Sequence, residues 1–157
     1  MKCLKIYTML FFLILPSYLY AESEHDHGHH NSSNLKLTLN DGKKWPTDEA
    51  LRVNMEAIHG HIKERLHKIH KNQMTSEDFK DMGSKIKKNV DLIFKNCKLE
   101  PAADEQLHII LSSLLSANSS LLGKASSEEK KKSVEAILGR YKDYVGHFDH
   151  TEGNRKK

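Results

Sequence analysis

The sequence predicts an all-α fold: an antiparallel up-down-up-down four-helix bundle with an extended N-terminal segment. Three observations predict it. Apolar residues recur at threes and fours in four separate stretches of similar length. The stretches are divided by short runs carrying cap and breaker residues: Thr75 with Asp78, Pro101, Gly123, and Ser126 with Glu129. Connections this short make consecutive helices antiparallel neighbours. The 157 residues suffice for one domain with a core.

Residues 1–21 stand apart from that domain. Lys2 and Lys5 form a positive leader, Ile6 to Tyr20 is apolar with Pro16 near its end, and Ala21 is a small residue at a cleavage point. This pattern predicts a secretory signal peptide, hence an exported protein, periplasmic or secreted, with no membrane association after cleavage. An uncleaved anchor is the alternative, but the apolar run is short against the roughly 20 residues of a span. Cys3 precedes the apolar run and so is not placed for lipidation.

Residues 22–34, ESEHDHGHHNSSN, hold His25, His27, His29 and His30 and no apolar side chain. They predict a disordered His-rich tail. Such tracts bind zinc, copper or nickel weakly and without fixed geometry; a solubilising linker is the other reading. After cleavage His25 is fourth in the chain, whereas the amino-terminal copper chelate needs histidine third.

Residues 35–46 predict an extended lead-in. Leu35 to Leu39 alternates apolar and polar residues, Asn40-Asp41-Gly42 signals a turn, and Trp45 is expected to close the end of the core. The bundle is expected over 47–150. Thr47 is the expected N-cap of helix one, with Asp48 and Glu49 in its first turn. Leu51, Met55, Ile58, Ile62, Leu66 and Ile69 carry that helix to about His70. Phe79, Met82, Ile86, Val90, Ile93 and Cys97 form the stripe of helix two. Helix three starts at Pro101 and shows Leu107, His108, Leu111, Leu114, Leu115, Leu121 and Leu122. Val134, Ile137, Leu138, Tyr141, Val145 and Phe148 are the stripe of helix four, and residues 151–157 form a polar tail.

This topology gathers at one end the start of helix one, the end of helix two, the start of helix three and the end of helix four. Met55, Cys97, His108, His147 and His150 all come from that half. A thioether, a thiol and imidazoles within mutual reach would suit copper or zinc, with Asp149 orienting a histidine. Taken singly, each has a plainer use: Met55 as core filler, Cys97 as a small buried hydrophobe, His108 as a hydrogen-bonded core residue. Cys97 is alone after cleavage, so no internal disulfide is expected. Helix one also carries His59, His61, His67 and His70 among Lys63, Glu64, Arg65, Lys68 and Lys71. They read as a solvated face, or as a row that responds to acidification.

Two resemblances follow from these residues. Leu51-Arg-Val-Asn-Met55-Glu and Tyr141-Lys-Asp-Tyr144-Val-Gly-His147 resemble the matching helix ends of the cytochrome b562 family. That resemblance implies haem b held by Met55 and His147. In the family the histidine follows the tyrosine directly. Here Val145 does, and His147 lies two places further, about 200° round the helix. No Cys-x-x-Cys-His motif is present, so covalent haem attachment is excluded. More broadly, LTLNDGKKWPTDEALRVNMEAI, NCKLEPAADEQLH and YVGHFDH resemble segments of small exported bacterial proteins, some labelled DnrO-like. That resemblance implies a signal peptide and a helical domain, with motif positions at Trp45, Met55, Cys97, His108, Phe148, Asp149 and His150, and transfers no established activity. The family motif continues with Pro-Gly-Trp where this chain has Thr151-Glu-Gly.

Composition narrows the function further. The formal charge is +4, and loss of Lys2 and Lys5 with the leader leaves +2, too small a surplus to expect nucleic acid as a partner. Nucleophile-elbow, phosphate-loop and HExxH patterns are absent, so no enzyme is expected. Three functions are left: a protein handling copper or zinc ions, an interaction scaffold, and a b-type electron carrier.

Overall fold

Helix boundaries in this chain follow its cap residues. The computed structural model describes residues 36–151. Among them are five helices and no strand: α1 (Glu49–Lys63), α2 (Leu66–His70), α3 (Ser76–Asn96), α4 (Pro101–Leu122) and α5 (Ser127–His147). The fold is all-α. Residues 1–21, where a signal peptide is expected, the His-rich stretch with His25, His27, His29 and His30, Leu35 and residues 152–157 lie outside the described residues.

Both expected capping boxes form. Thr75 Oγ1 accepts the Asp78 N–H while the Asp78 carboxylate accepts the Thr75 N–H, and Ser126 and Glu129 repeat the pattern at α5. Pro101 occupies the first turn of α4, where its missing N–H costs nothing. The cap of α1 is Asp48, not Thr47. Asp48 Oδ1 accepts the Leu51 N–H at 2.7 Å. Thr47 is buried and instead donates its hydroxyl to the Asp149 carbonyl at 2.7 Å.

The single helix expected up to His70 is broken at Glu64–Arg65. The Arg65 N–H turns back to the Ile62 carbonyl at 2.9 Å, three residues away, leaving the His61 carbonyl without its helical donor. The Arg65 guanidinium takes its place, donating to the His61 carbonyl at 3.1 Å and to Asp81 on α3 at 2.7 Å. A side chain anchored on α3 therefore replaces one backbone bond of α1. Beyond the break, α2 ends with Asn72 in the left-handed region (φ 57). Asn72 N–H reaches the Ile69 carbonyl and Gln73 N–H the Lys68 carbonyl, the paired bonds of a Schellman motif.

The apolar stripes of α1 and α3 pack as their spacing predicts. Leu51, Met55, Ile58, Ile62, Phe79, Met82, Ile86, Val90 and Ile93 are all buried, with Leu107, Ile110, Leu111, Leu114, Leu121, Val134, Ile137, Tyr144 and Phe148 filling the rest of the core. Burying each such large side chain stabilises the fold by roughly 1.5–3 kcal/mol before chain entropy is counted. α1 packs on α3, α3 on α4 and α4 on α5, and α1 also touches α5. α3 and α4 approach closely at Gly83, whose carbonyl accepts the buried Asn118 amide N–H at 2.9 Å. No helix among the described residues is long and apolar enough to cross a membrane.

Ahead of α1, Asp41 (φ 49) and Gly42 (φ 78) make the tight turn that the sequence signals. Asn40 and Lys43 exchange backbone hydrogen bonds across it at 2.8 and 2.9 Å. Two isolated bridges, Asn40–Lys43 and Trp45–Phe148, are the extended pairing found among the described residues.

Candidate functional site

The end of the helical body where α1 begins is held by hydrogen bonds between residues far apart in the chain. Asp48 caps α1 with one carboxylate oxygen, and with the other accepts the Lys98 N–H, just past α3, at 2.6 Å. Trp45 N–H donates to the His147 carbonyl at 2.7 Å, and Asp149 N–H returns a bond to the Trp45 carbonyl at 2.9 Å. The lead-in reaches α4 through Thr38 N–H and the Gln106 side-chain oxygen at 2.8 Å. Trp45 packs against the core and donates its indole N–H to the Thr38 carbonyl at 2.7 Å. Hydrogen bonds therefore link the start of α1, the end of α3, the first half of α4 and the end of α5.

Within that end the candidate ligands are distributed unequally. Met55 is wholly buried among core side chains. Cys97 caps the C-terminus of α3 and is half-buried. Burial, with the Asp48 carboxylate close by, pushes its thiol up to about 12, so it is protonated at neutral pH. His108 is exposed and lies outside the core. Position 107 supplies the core side chain of that turn, and the next residue points about 100° away from it. Its Nδ1 lies 2.9 Å from the Asp104 carbonyl, a contact only an N–H can make, which leaves Nε2 for a ligand. Its ring lies against Phe94. Cys97 and His108 line one cleft between α3 and α4 with Phe94, Asp104, Leu107 and Leu111.

His147 and His150 do not line that cleft. His147 donates from Nδ1 to the Asp143 carbonyl at 2.8 Å. His150 lies between Tyr144 and Glu56: Nδ1 is 3.0 Å from the Tyr144 hydroxyl and Nε2 is 3.3 Å from the Glu56 carboxylate. Among the described residues, no group of three or more His, Cys, Asp or Glu is placed to hold a metal ion.

The most connected polar group at this end is one that the sequence does not single out. The Tyr141 hydroxyl donates to Glu56 at 2.8 Å, and the His59 ring stacks on the Tyr141 ring at 4.3 Å with 10° between planes. Tyr144, with no exposed surface, stacks on Phe148 and meets His150 edge-on. The Tyr141 hydrogen bond, and the nearby His150 and His59, hold the Glu56 carboxyl below its usual range despite some burial. Burial pushes both tyrosine hydroxyls well above their ordinary value. The one available hint is the i, i+3 spacing of Tyr141 and Tyr144, which sets both on one helix face.

Comparison with protein families, curated proteins and solved structures finds no match to this chain.

Proposed function

We propose that this chain is an exported, non-enzymatic protein built on an antiparallel four-helix bundle, and that it binds copper or zinc through its His-rich stretch and one end of the bundle. The observation that carries the reading is the cleft shared by Cys97 and His108. A thiol and an imidazole with Nε2 available face one space, and the Asp104 carbonyl fixes the tautomer of the imidazole, as the outer partner of a metal-binding histidine does. Two side chains are too few for a closed tetrahedral site. Water would complete the set there, while His25, His27, His29 and His30 form a separate group of ligands that binds such ions weakly and without fixed geometry. Metal binding would have to displace the thiol proton, so affinity should rise with pH. Membership of the DnrO-like family belongs to the same proposal and rests on the three segments quoted above.

A scaffold without metal is the second reading. It is favoured by the Asp48 carboxylate beside Cys97, which opposes the thiolate.

The deciding experiment is elemental analysis with a visible spectrum of the mature protein as isolated. It is repeated after deletion of 22–34 and on Cys97→Ser and His108→Ala. Stoichiometric copper or zinc that falls with each change supports the reading. Absence of metal, or metal untouched by both substitutions, leaves the scaffold. A Soret band would instead establish haem.

A further inference from the structure

His61 lies on α1 one turn before the break, toward α3. Its Nε2 is 3.1 Å from Asn89 Nδ2 on α3. The same Nδ2 donates to the Lys85 carbonyl at 2.9 Å. Turning the amide over would set its oxygen against that carbonyl, acceptor against acceptor, so the backbone fixes the NH2 group toward the imidazole. Nε2 must then accept, which requires a neutral ring with its proton on Nδ1. Asn89 is buried, so losing the contact would strip one amide hydrogen of its partner inside the fold, which is costly.

The charges around the ring reinforce this. Lys85 and Asp81 face it from α3, and Glu64 and Arg65 from its own chain. Asp81 is shared by Arg65 at 2.7 Å and Lys85 at 2.8 Å, so the acid on α3 is already neutralised by two cations. Burial is the largest effect on His61 and, with Lys85 and Arg65, lowers its pKa; Glu64 and Asp81 oppose it. The His61 carbonyl is also the acceptor that the Arg65 guanidinium takes at the helix break.

We propose that His61 and Asn89 form an acid-released clasp between α1 and α3, closed while the imidazole is neutral and opened when a proton on Nε2 turns the acceptor into a second donor. The folded pKa lies below the ordinary histidine value of about 6.5. The clasp's contribution is therefore complete above that value and is lost as pH falls through the lowered one. Because the Arg65 contact sits beside it, the released piece is the last turn of α1 together with α2, while α4 and α5 keep their packing.

The test is an NMR titration of the full chain, following the His61 ring nitrogens and Cε1–H alongside amide hydrogen exchange. The neutral ring should show the Nδ1–H tautomer. His61 should titrate below the ordinary value, and exchange over residues 60–70 should rise several-fold through the same midpoint, with α4 and α5 unchanged. Asn89→Ala should raise the midpoint toward the ordinary value, and Asn89→Asp should raise it further. A midpoint unmoved by Asn89→Ala would overturn the clasp, since a merely buried histidine would behave that way. So would an Nε2–H tautomer in the wild-type chain, or exchange that ignores the titration; both readouts stand even if the variants fail to fold.

Discussion

The Asp48 carboxylate accepts the Lys98 backbone N–H at 2.6 Å across fifty positions of sequence. With its other oxygen it caps α1, and its charge lies beside the Cys97 thiol. Asp48→Ala removes all three effects. It should destabilise the fold by about 2–4 kcal/mol, from a lost cap and a lost bond to a charged acceptor. Asp48→Asn keeps a good cap but removes the charge, so it should cost less and still lower the thiol pKa from about 12. Denaturant unfolding measures the first effect and Cys97 alkylation rates at fixed pH the second. An alkylation rate identical in all three proteins would show that Asp48 does not govern the thiol.

Two glycines should respond oppositely to alanine. A Cβ at Gly83 would stand 3.0 Å from Leu121 Cβ and 3.1 Å from Leu122 Cδ2, at the close approach of α3 and α4. Overpacking there should outweigh the gain of about 1 kcal/mol in helix propensity, leaving a net loss of about 1–2 kcal/mol. A Cβ at Gly139 in α5 meets nothing within 4 Å. Gly139→Ala should therefore stabilise by about 0.5–1 kcal/mol. Thermal unfolding of both variants checks the signs.

The stacked pair Tyr144 and Phe148 is expected to matter more as surface than as chemistry. Phe148→Ala empties a fully buried site and should cost about 3–5 kcal/mol. Tyr144→Phe keeps the ring and loses only the hydroxyl contact with His150, costing about 1 kcal/mol. Equal losses from the two would contradict this ranking.

Acid should weaken the contact of Glu56 with α5. Its folded carboxyl lies below its ordinary value of about 4.3, so its contribution is complete above that pH and is lost as pH falls through the lowered value. The carboxylate is largely exposed and screened, so the effect should be on the order of a few tenths of a kcal/mol. Tyr141→Phe removes the main cause and should raise the Glu56 midpoint, which carboxyl-carbon NMR would follow. The box carboxylates Asp78 and Glu129 are lowered by Thr75 and Ser126 and should titrate with the same sign.

Local chemistry was legible in the sequence, and contacts made across the chain were not. Thr75 with Asp78 and Ser126 with Glu129 mark helix starts because each box closes within four residues. The break in α1 is hidden because Ile62, Leu66 and Ile69 keep helical spacing straight through it, while Arg65, which bridges it, holds Asp81 sixteen residues away. Asn118 and Lys130 interrupt no pattern, yet both are buried. One is bonded to the Gly83 carbonyl, and the other lies with its ammonium 6.0 Å from the Phe79 ring centre. At the candidate site, apolar spacing placed Met55 and the rest of the α1 stripe in the core. It did not separate His108 from Leu107, both counted on the apolar face of helix three: Leu107 is buried and His108 is exposed. Glu56, Tyr141 and His150 meet only once α1, α5 and the residues after α5 are folded together.

The pairing of Trp45 with Phe148 gives the domain a mechanical character. The chain enters and leaves the helical body through two short extended pieces that run in the same direction, joined by the Trp45–His147 and Asp149–Trp45 hydrogen bonds. Tension applied between the two ends would pull these pieces in opposite senses along their length. Both bonds would then be loaded at once rather than one after the other. The Thr38–Gln106 bond to α4 and the Thr47–Asp149 bond would share that load.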